Sequence, residues 1–133
     1  SRSADTGIAA LRCVQDVSGY WPDPDQSNGS LDHPGIYRFT IEGSGIYIGR
    51  FTRRYRVVGE YPNNVRRIFE QGAYRKSDGS GFRFVHVELH RALVDGRTIR
   101  PEVVENYDIS DLNVRERYWI EQVPIELRLN GKK

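Results

Sequence analysis

The chain has 133 residues, 38% of them apolar and 29% charged, with a formal net charge of +2 and a single cysteine, Cys13. That length suits one domain with one core, and the composition excludes a disordered chain and, without a long apolar run, a membrane-spanning one. A lone cysteine excludes an intrachain disulfide and a multi-thiolate metal site, and fits a reducing, cytoplasmic compartment.

The opening SRSADTGIAALRCV lacks the charged start, apolar stretch and cleavage site of a secretory signal. Apolar spacing predicts a short helix over 4–17, with Ile8, Leu11, Cys13 and Val14 inward and Ser3 or Asp5 as cap. YWPDPDQSNGSLDHPG is dense in turn formers and reads as a loop that Trp21 alone anchors on the core. Residues 36–42 and 45–51 read as an antiparallel hairpin turning at Gly43-Ser44. A basic, irregular segment from Arg53 to Tyr61 follows. Pro62 and Asn63-Asn64 then introduce a helix to about Gln71 with Val65, Ile68 and Phe69 inward. Alternation over 82–89 predicts a third strand with Phe82, Phe84, His86 and Glu88 on one face. Residues 91–109 carry no clear pattern. Ser110 caps a final helix through about Gln122, with Leu112, Arg115, Tyr118 and Trp119 at helical spacing, and 125–129 forms an extended tail. The expected fold is α+β: one domain, a small, mainly antiparallel three-stranded sheet flanked by helices, with an extra N-terminal helix in an extension over 1–33 and a core over 34–131.

Charge is unevenly distributed. Arg50, Arg53, Arg54, Arg56, Arg66 and Arg67 share their stretch with one acid, Glu60, and Arg75 and Lys76 extend it. Planar guanidinium forks bind phosphate bidentately, so Arg53, Arg54, Arg56, Arg66, Arg75 and Lys76 are candidate nucleic-acid contacts; the alternative is a solvated, salt-bridged face. In the second strand Gly45, Tyr47 and Gly49 project to one face, so Tyr47 lacks bulky neighbours along its strand. Glycines there leave room for a backbone or ligand to approach the phenol. Tyr37, in the first strand, can neighbour Tyr47 across the hairpin.

Gly35-Ile36-Tyr37 followed by Tyr47-Ile48-Gly49 resembles the signature of the GIY-YIG nuclease superfamily, which includes homing endonucleases, some restriction enzymes and the incision module of bacterial excision repair. Arg115-Glu116-Arg117-Tyr118-Trp119-Ile120 is similar to the family's helix bearing the metal-binding glutamate, and the resemblance covers about residues 34–131. It implies a phosphodiester-hydrolysing endonuclease with Glu116 holding one Mg²⁺ or Mn²⁺, and Tyr47, supported by Tyr37, activating water. An ordinary phenol, pKa about 10, is ionised in about one part per thousand at neutral pH, so a nearby cation is needed, and Arg50 is the nearest in sequence. The family's helix arginine fits Arg67 by its helix entry, with Arg56 and Arg66 as competitors, because the simplest family spacing falls on Val57. Asn130 fits the family's late asparagine. The histidine many members carry one turn after the arginine falls at Gln71, leaving His86 or His90 as substitutes; His33 sits in the turn-rich loop. The implied partner is nucleic acid, double-stranded DNA first, with no membrane and with monomer and homodimer both open.

A second class of reading is a non-catalytic nucleic-acid-binding module. Ser80-Gly-Phe-Arg-Phe-Val-His-Val87 resembles the aromatic strand of an RNA-recognition motif, with Ile46-Tyr47-Ile48 as its shorter partner, though this leaves Tyr37, Glu116 and Asn130 without a role. An inactive GIY-YIG domain is the other non-catalytic form.

Overall fold

Period-two runs of β-branched and aromatic residues build the sheet. In a computed structural model that describes residues 21–71 and 83–131, β1 (Gly35–Ile41) and β2 (Gly45–Phe51) form the hairpin. Ser44 N–H donates to the Ile41 carbonyl at 3.0 Å, and Gly43 takes the positive φ of 80° that the turn requires. The predicted N-terminal helix over 4–17, Arg75 and Lys76 lie outside the described residues.

The third strand is not the predicted one. β3 is Ile99–Asn106, in the stretch that showed no clear pattern, and it pairs antiparallel with β1 to give the order β2-β1-β3. Its alternation was hidden by Pro101, which an edge strand tolerates, and by a register shift opposite Ile36/Tyr37. Phe82 lies outside the described residues, and from Phe84 onward the predicted strand over 82–89 is instead the start of a helix. Its β-branched and aromatic letters lose to helical spacing, since Val85, Leu89 and Ala92 all face the core and Gly96, at φ 72°, ends the helix in the left-handed region. This removes the strand on which the RNA-recognition resemblance rested.

Among the described residues three α-helices cover the sheet. α1 (Tyr61–Gln71) continues directly from a π-helical turn over Arg56–Glu60, where an irregular segment was expected. α2 (Phe84–Asp95) packs beside it, and α3 (Leu112–Gln122) lies on the opposite face of the sheet. The cap ahead of α3 is Asp108 rather than Ser110: its carboxylate accepts from Ser110 N–H and Oγ–H at 3.0 and 2.9 Å, closing a 3₁₀ turn over Ile109–Asp111. The predicted extended tail is a 3₁₀ turn over Ile125–Leu127 followed by a single bridge from Arg128 to Ile46.

The pleat divides the core. Tyr37, Phe39, Ile41, Phe51 and Val103 join Val65 of α1 and Leu89 of α2 on one face, while Ile36, Ile48 and Val104 meet Leu112 and Val123 on the other. The loop before β1 is bound more tightly than one anchoring tryptophan implies. Trp21 packs edge-on to Phe39, Leu31 is buried in the first core, and Asp25 exchanges backbone hydrogen bonds with Pro101 and Val103 along the β3 edge. No helix among the described residues is long and apolar enough to cross a membrane.

Candidate functional site

The hairpin register sets Tyr37 opposite Gly49 and Phe39 opposite Tyr47, so the two phenols are diagonal neighbours on one face with ring centroids 6.5 Å apart. Their environments diverge. Tyr37 lies fully buried over Gly49, where an added Cβ would come within 2.2 Å of the phenol oxygen. Its hydroxyl hydrogen-bonds Tyr61 at the start of α1, and burial raises both phenols well above the ordinary tyrosine range. These two stay protonated. Tyr47, farther along the strand toward the turn, is only partly buried and opens into a cleft.

That cleft, about 540 Å³, is lined by Tyr47, Arg50, Arg53, Arg56, Arg83 and Glu116, among others. It lies where the sheet's two layers meet beside β2. Tyr47 comes from the face covered by α1 and α2, Glu116 from α3 on the other face, and Arg50 bridges them. Arg50 follows the pleat to the α3 side, where its guanidinium donates to Asn113 and reaches a Glu116 oxygen at 3.2 Å. Arg56, on the π-helical turn, pairs with Glu60 and lies 5.6 Å from the Tyr61 ring centroid. Its burial in this polar setting leaves it firmly charged, the neighbouring phenols and Glu60 outweighing the loss of solvent.

The remaining sequence candidates are distributed differently. Arg67, on α1, does not line the cleft; it approaches Asn64 at 3.4 Å, and its charge bears on His86. Arg54 pairs with Asp32 and Arg66 with Glu70, both near the surface. Asn130 grips the outer edge of β2: its Oδ1 accepts from Ile48 N–H at 2.9 Å and its Nδ2 donates to Ile48 C=O at 2.8 Å. This is a clasp on the edge strand that also helps wall a smaller cavity beside Tyr47. His86 is buried behind Tyr61, with ring centroids 5.3 Å apart. Burial first, then the charges of Arg83, Arg56 and Arg67, push it down to about 4, so it remains neutral and does not fit a proton-transfer role near pH 7. His90 packs edge-on against Phe69, burial lowering its pKa, and His33 is exposed in the loop before β1.

Two residues enter that the sequence reading passed over. Tyr61 was assigned to the end of an irregular segment, although it directly precedes Pro62 at the opening of the helix. Arg83 was assigned to a strand, whereas it stands at the N-cap of α2 and donates to both phenols, to Tyr47 at 3.2 Å and Tyr61 at 3.4 Å.

Glu116 and Glu60 are the carboxylates of the cleft, and no group of three or more acidic, histidine or cysteine ligands occurs among the described residues. Among those residues the second oxygen of Glu116 accepts no hydrogen bond. One partly exposed carboxylate facing an open, polar cleft fits a hard cation that keeps most of its waters, rather than a protein-built cage. No family model, no curated protein and no solved structure matches the chain.

Proposed function

We propose that the protein is a metal-dependent endonuclease that hydrolyses phosphodiester bonds of nucleic acid, double-stranded DNA being the expected substrate. The observation that carries this is the shared cleft: Tyr47, Glu116 and the guanidinium groups of Arg50 and Arg56 open onto one space, from both sides of the sheet. Phosphoryl hydrolysis needs that set, namely an oriented oxygen nucleophile, a carboxylate for a cation and positive charge for the developing phosphorane oxygens. Tyr47 Oη faces the space where water attacks and orients it. Tyr37 contributes at one remove, its protonated hydroxyl fixing Tyr61 behind the site. Of the competing arginines, Arg56 takes the phosphate role, because it opens on the cleft and Arg67 does not. Glu116 would hold Mg²⁺ or Mn²⁺, which when bound would draw charge from a phosphate oxygen and acidify a coordinated water.

The Arg50–Glu116 ion pair favours the other reading, a domain that binds nucleic acid without cutting it, since it engages the carboxylate with a cation of the protein's own. Plasmid DNA and RNA incubated with the protein in Mg²⁺ or EDTA separate the two. The nuclease reading predicts Mg²⁺-dependent nicking, reduced about 100-fold or more by Glu116→Gln and by Tyr47→Phe. Binding of equal strength with no cutting in any metal selects the non-catalytic domain.

A further inference from the structure

Most arginines of the cleft and its surroundings have an acidic partner. Arg50 pairs with Glu116, Arg54 with Asp32, Arg56 with Glu60 and Arg66 with Glu70. Arg53 and Arg83, both lining the cleft, have no carboxylate within ion-pair distance among the described residues, and of these two it is Arg83 whose guanidinium donates to two phenol oxygens. It also stands between two cavities, lining the 540 Å³ cleft and, with Tyr47, a smaller one of about 270 Å³ that Asn130 and Phe84 help enclose.

A guanidinium is charged at every working pH and carries five N–H donors. Arg83 is exposed to solvent, and the two neutral phenols hold its guanidinium without neutralising the charge. One Nη is directed to Tyr47 and the other to Tyr61, so the fork is held in place before any ligand arrives, and each terminal nitrogen keeps a second N–H. The backbone supports the position from below, since Arg83 N–H donates to His86 Nδ1 at 3.2 Å.

We infer that Arg83 is an anion-binding residue of this site, holding a non-bridging oxygen of the phosphodiester that Tyr47 reaches. This rests on the nuclease reading and adds to it a phosphate ligand from the start of α2, outside the tyrosine, arginine, glutamate and asparagine positions of the nuclease resemblance. By gripping Tyr47 Oη and the phosphate together, Arg83 fixes the phenol relative to the phosphorus.

The test measures duplex binding first, in proteins that lack Glu116, and then cutting in proteins that keep it. A fluorescein-labelled DNA duplex is titrated with Glu116→Gln, Glu116→Gln/Arg83→Gln and Glu116→Gln/Arg83→Lys proteins in EDTA over a series of salt concentrations. Loss of one phosphate contact lowers the slope of log K against log[salt] by about 0.9. The expected result is that drop for Arg83→Gln and its recovery for Arg83→Lys, while in the Glu116 background Arg83→Lys still cuts at least 10-fold more slowly than arginine because a point charge cannot serve two hydroxyls and a phosphate. An unchanged slope in a folded Arg83→Gln protein overturns the inference alone. Should Arg83→Gln fail to fold, Arg83→Lys decides: a retained slope with 10-fold slower cutting supports it, and unchanged cutting overturns it. No duplex binding by the Glu116→Gln parent overturns the nuclease reading and this inference together.

Discussion

The two ends of the β1–β2 hairpin both carry polar networks, built on opposite terms. At the turn, charges and hydroxyls match one another. Glu88 of α2, buried, accepts from Ser44 Oγ at 2.8 Å and Arg91 at 3.1 Å, while Arg97 donates to Ser44 Oγ at 2.7 Å and the Glu42 carbonyl at 2.6 Å and pairs with Asp95. Toward the other end Tyr37, Tyr61 and Arg83 form, with Tyr47 nearer the turn, a chain of hydroxyls that ends on a cation, with Arg50, Arg53 and Arg56 nearby. A network closed on itself contributes rigidity. One that ends on surplus positive charge, beside an open cleft, leaves guanidinium N–H groups for an anion, as the proposed function requires.

Perturbing both ends sharpens that contrast. The largest expected effect is the pH dependence of His86, which belongs to the cleft end. Its folded pKa of about 4 lies below the ordinary 6.5, so the neutral ring is favoured by folding. This contribution is complete above pH 6.5 and is lost as pH falls through 6.5 toward 4, where the unfolded chain binds a proton that the fold refuses. The loss over that window is about 3 kcal/mol. Urea unfolding at a series of pH values should show it, and His86→Asn should flatten the slope across the same window. Next, Gly49→Ala places a Cβ 2.2 Å from the Tyr37 hydroxyl in the sealed part of the core; the expected cost is about 2 kcal/mol in the same measurement. At the turn, Ser44→Ala removes one acceptor and one donor from the closed network. A loss of about 1 kcal/mol, with nicking unchanged, is expected there. The smallest effect belongs to Arg54→Ala, whose ion pair with Asp32 is solvent-exposed: stability should change by less than about 1 kcal/mol.

The same contrast explains what was legible in the sequence. The hairpin, α1 and α3 were readable because their periodicities are local and their boundaries carry turn or cap residues. The third strand was not, because Pro101 and a register shift broke its alternation, and because Phe-Arg-Phe-Val-His-Val at 82–87 imitates a strand while its burial follows Val85, Leu89 and Ala92 in helical steps. In the site, the Tyr47 and Glu116 positions followed from motif letters and both line the cleft, but the space beside the glycine neighbours of Tyr47 is taken by the protein, with the Leu127 carbonyl over Gly45. At the second glycine the occupant is Tyr37: Gly49 makes room for the Tyr37 ring itself, and that ring is sealed. Arg83 and Tyr61 were invisible because their roles depend on the angle at which α1 and α2 meet the sheet, a tertiary property with no local period. The helix entry favoured Arg67 over Arg56 in the sequence, whereas the π-helical turn over residues 56–60 puts Arg56 and not Arg67 on the cleft, which no local pattern announces.

In the proposed function Tyr47 and Glu116 act on one phosphorus atom from opposite layers of the sheet. Single-turnover cleavage of a DNA duplex in Mg²⁺ by Tyr47→Phe, Glu116→Gln and the double variant addresses it directly, because groups serving one step lose their effects non-additively. The account predicts that each single variant is at least about 100-fold slower and that the double is no slower than the worse single. Losses that multiply in the double variant, or a single variant that cuts at the parental rate, would contradict it.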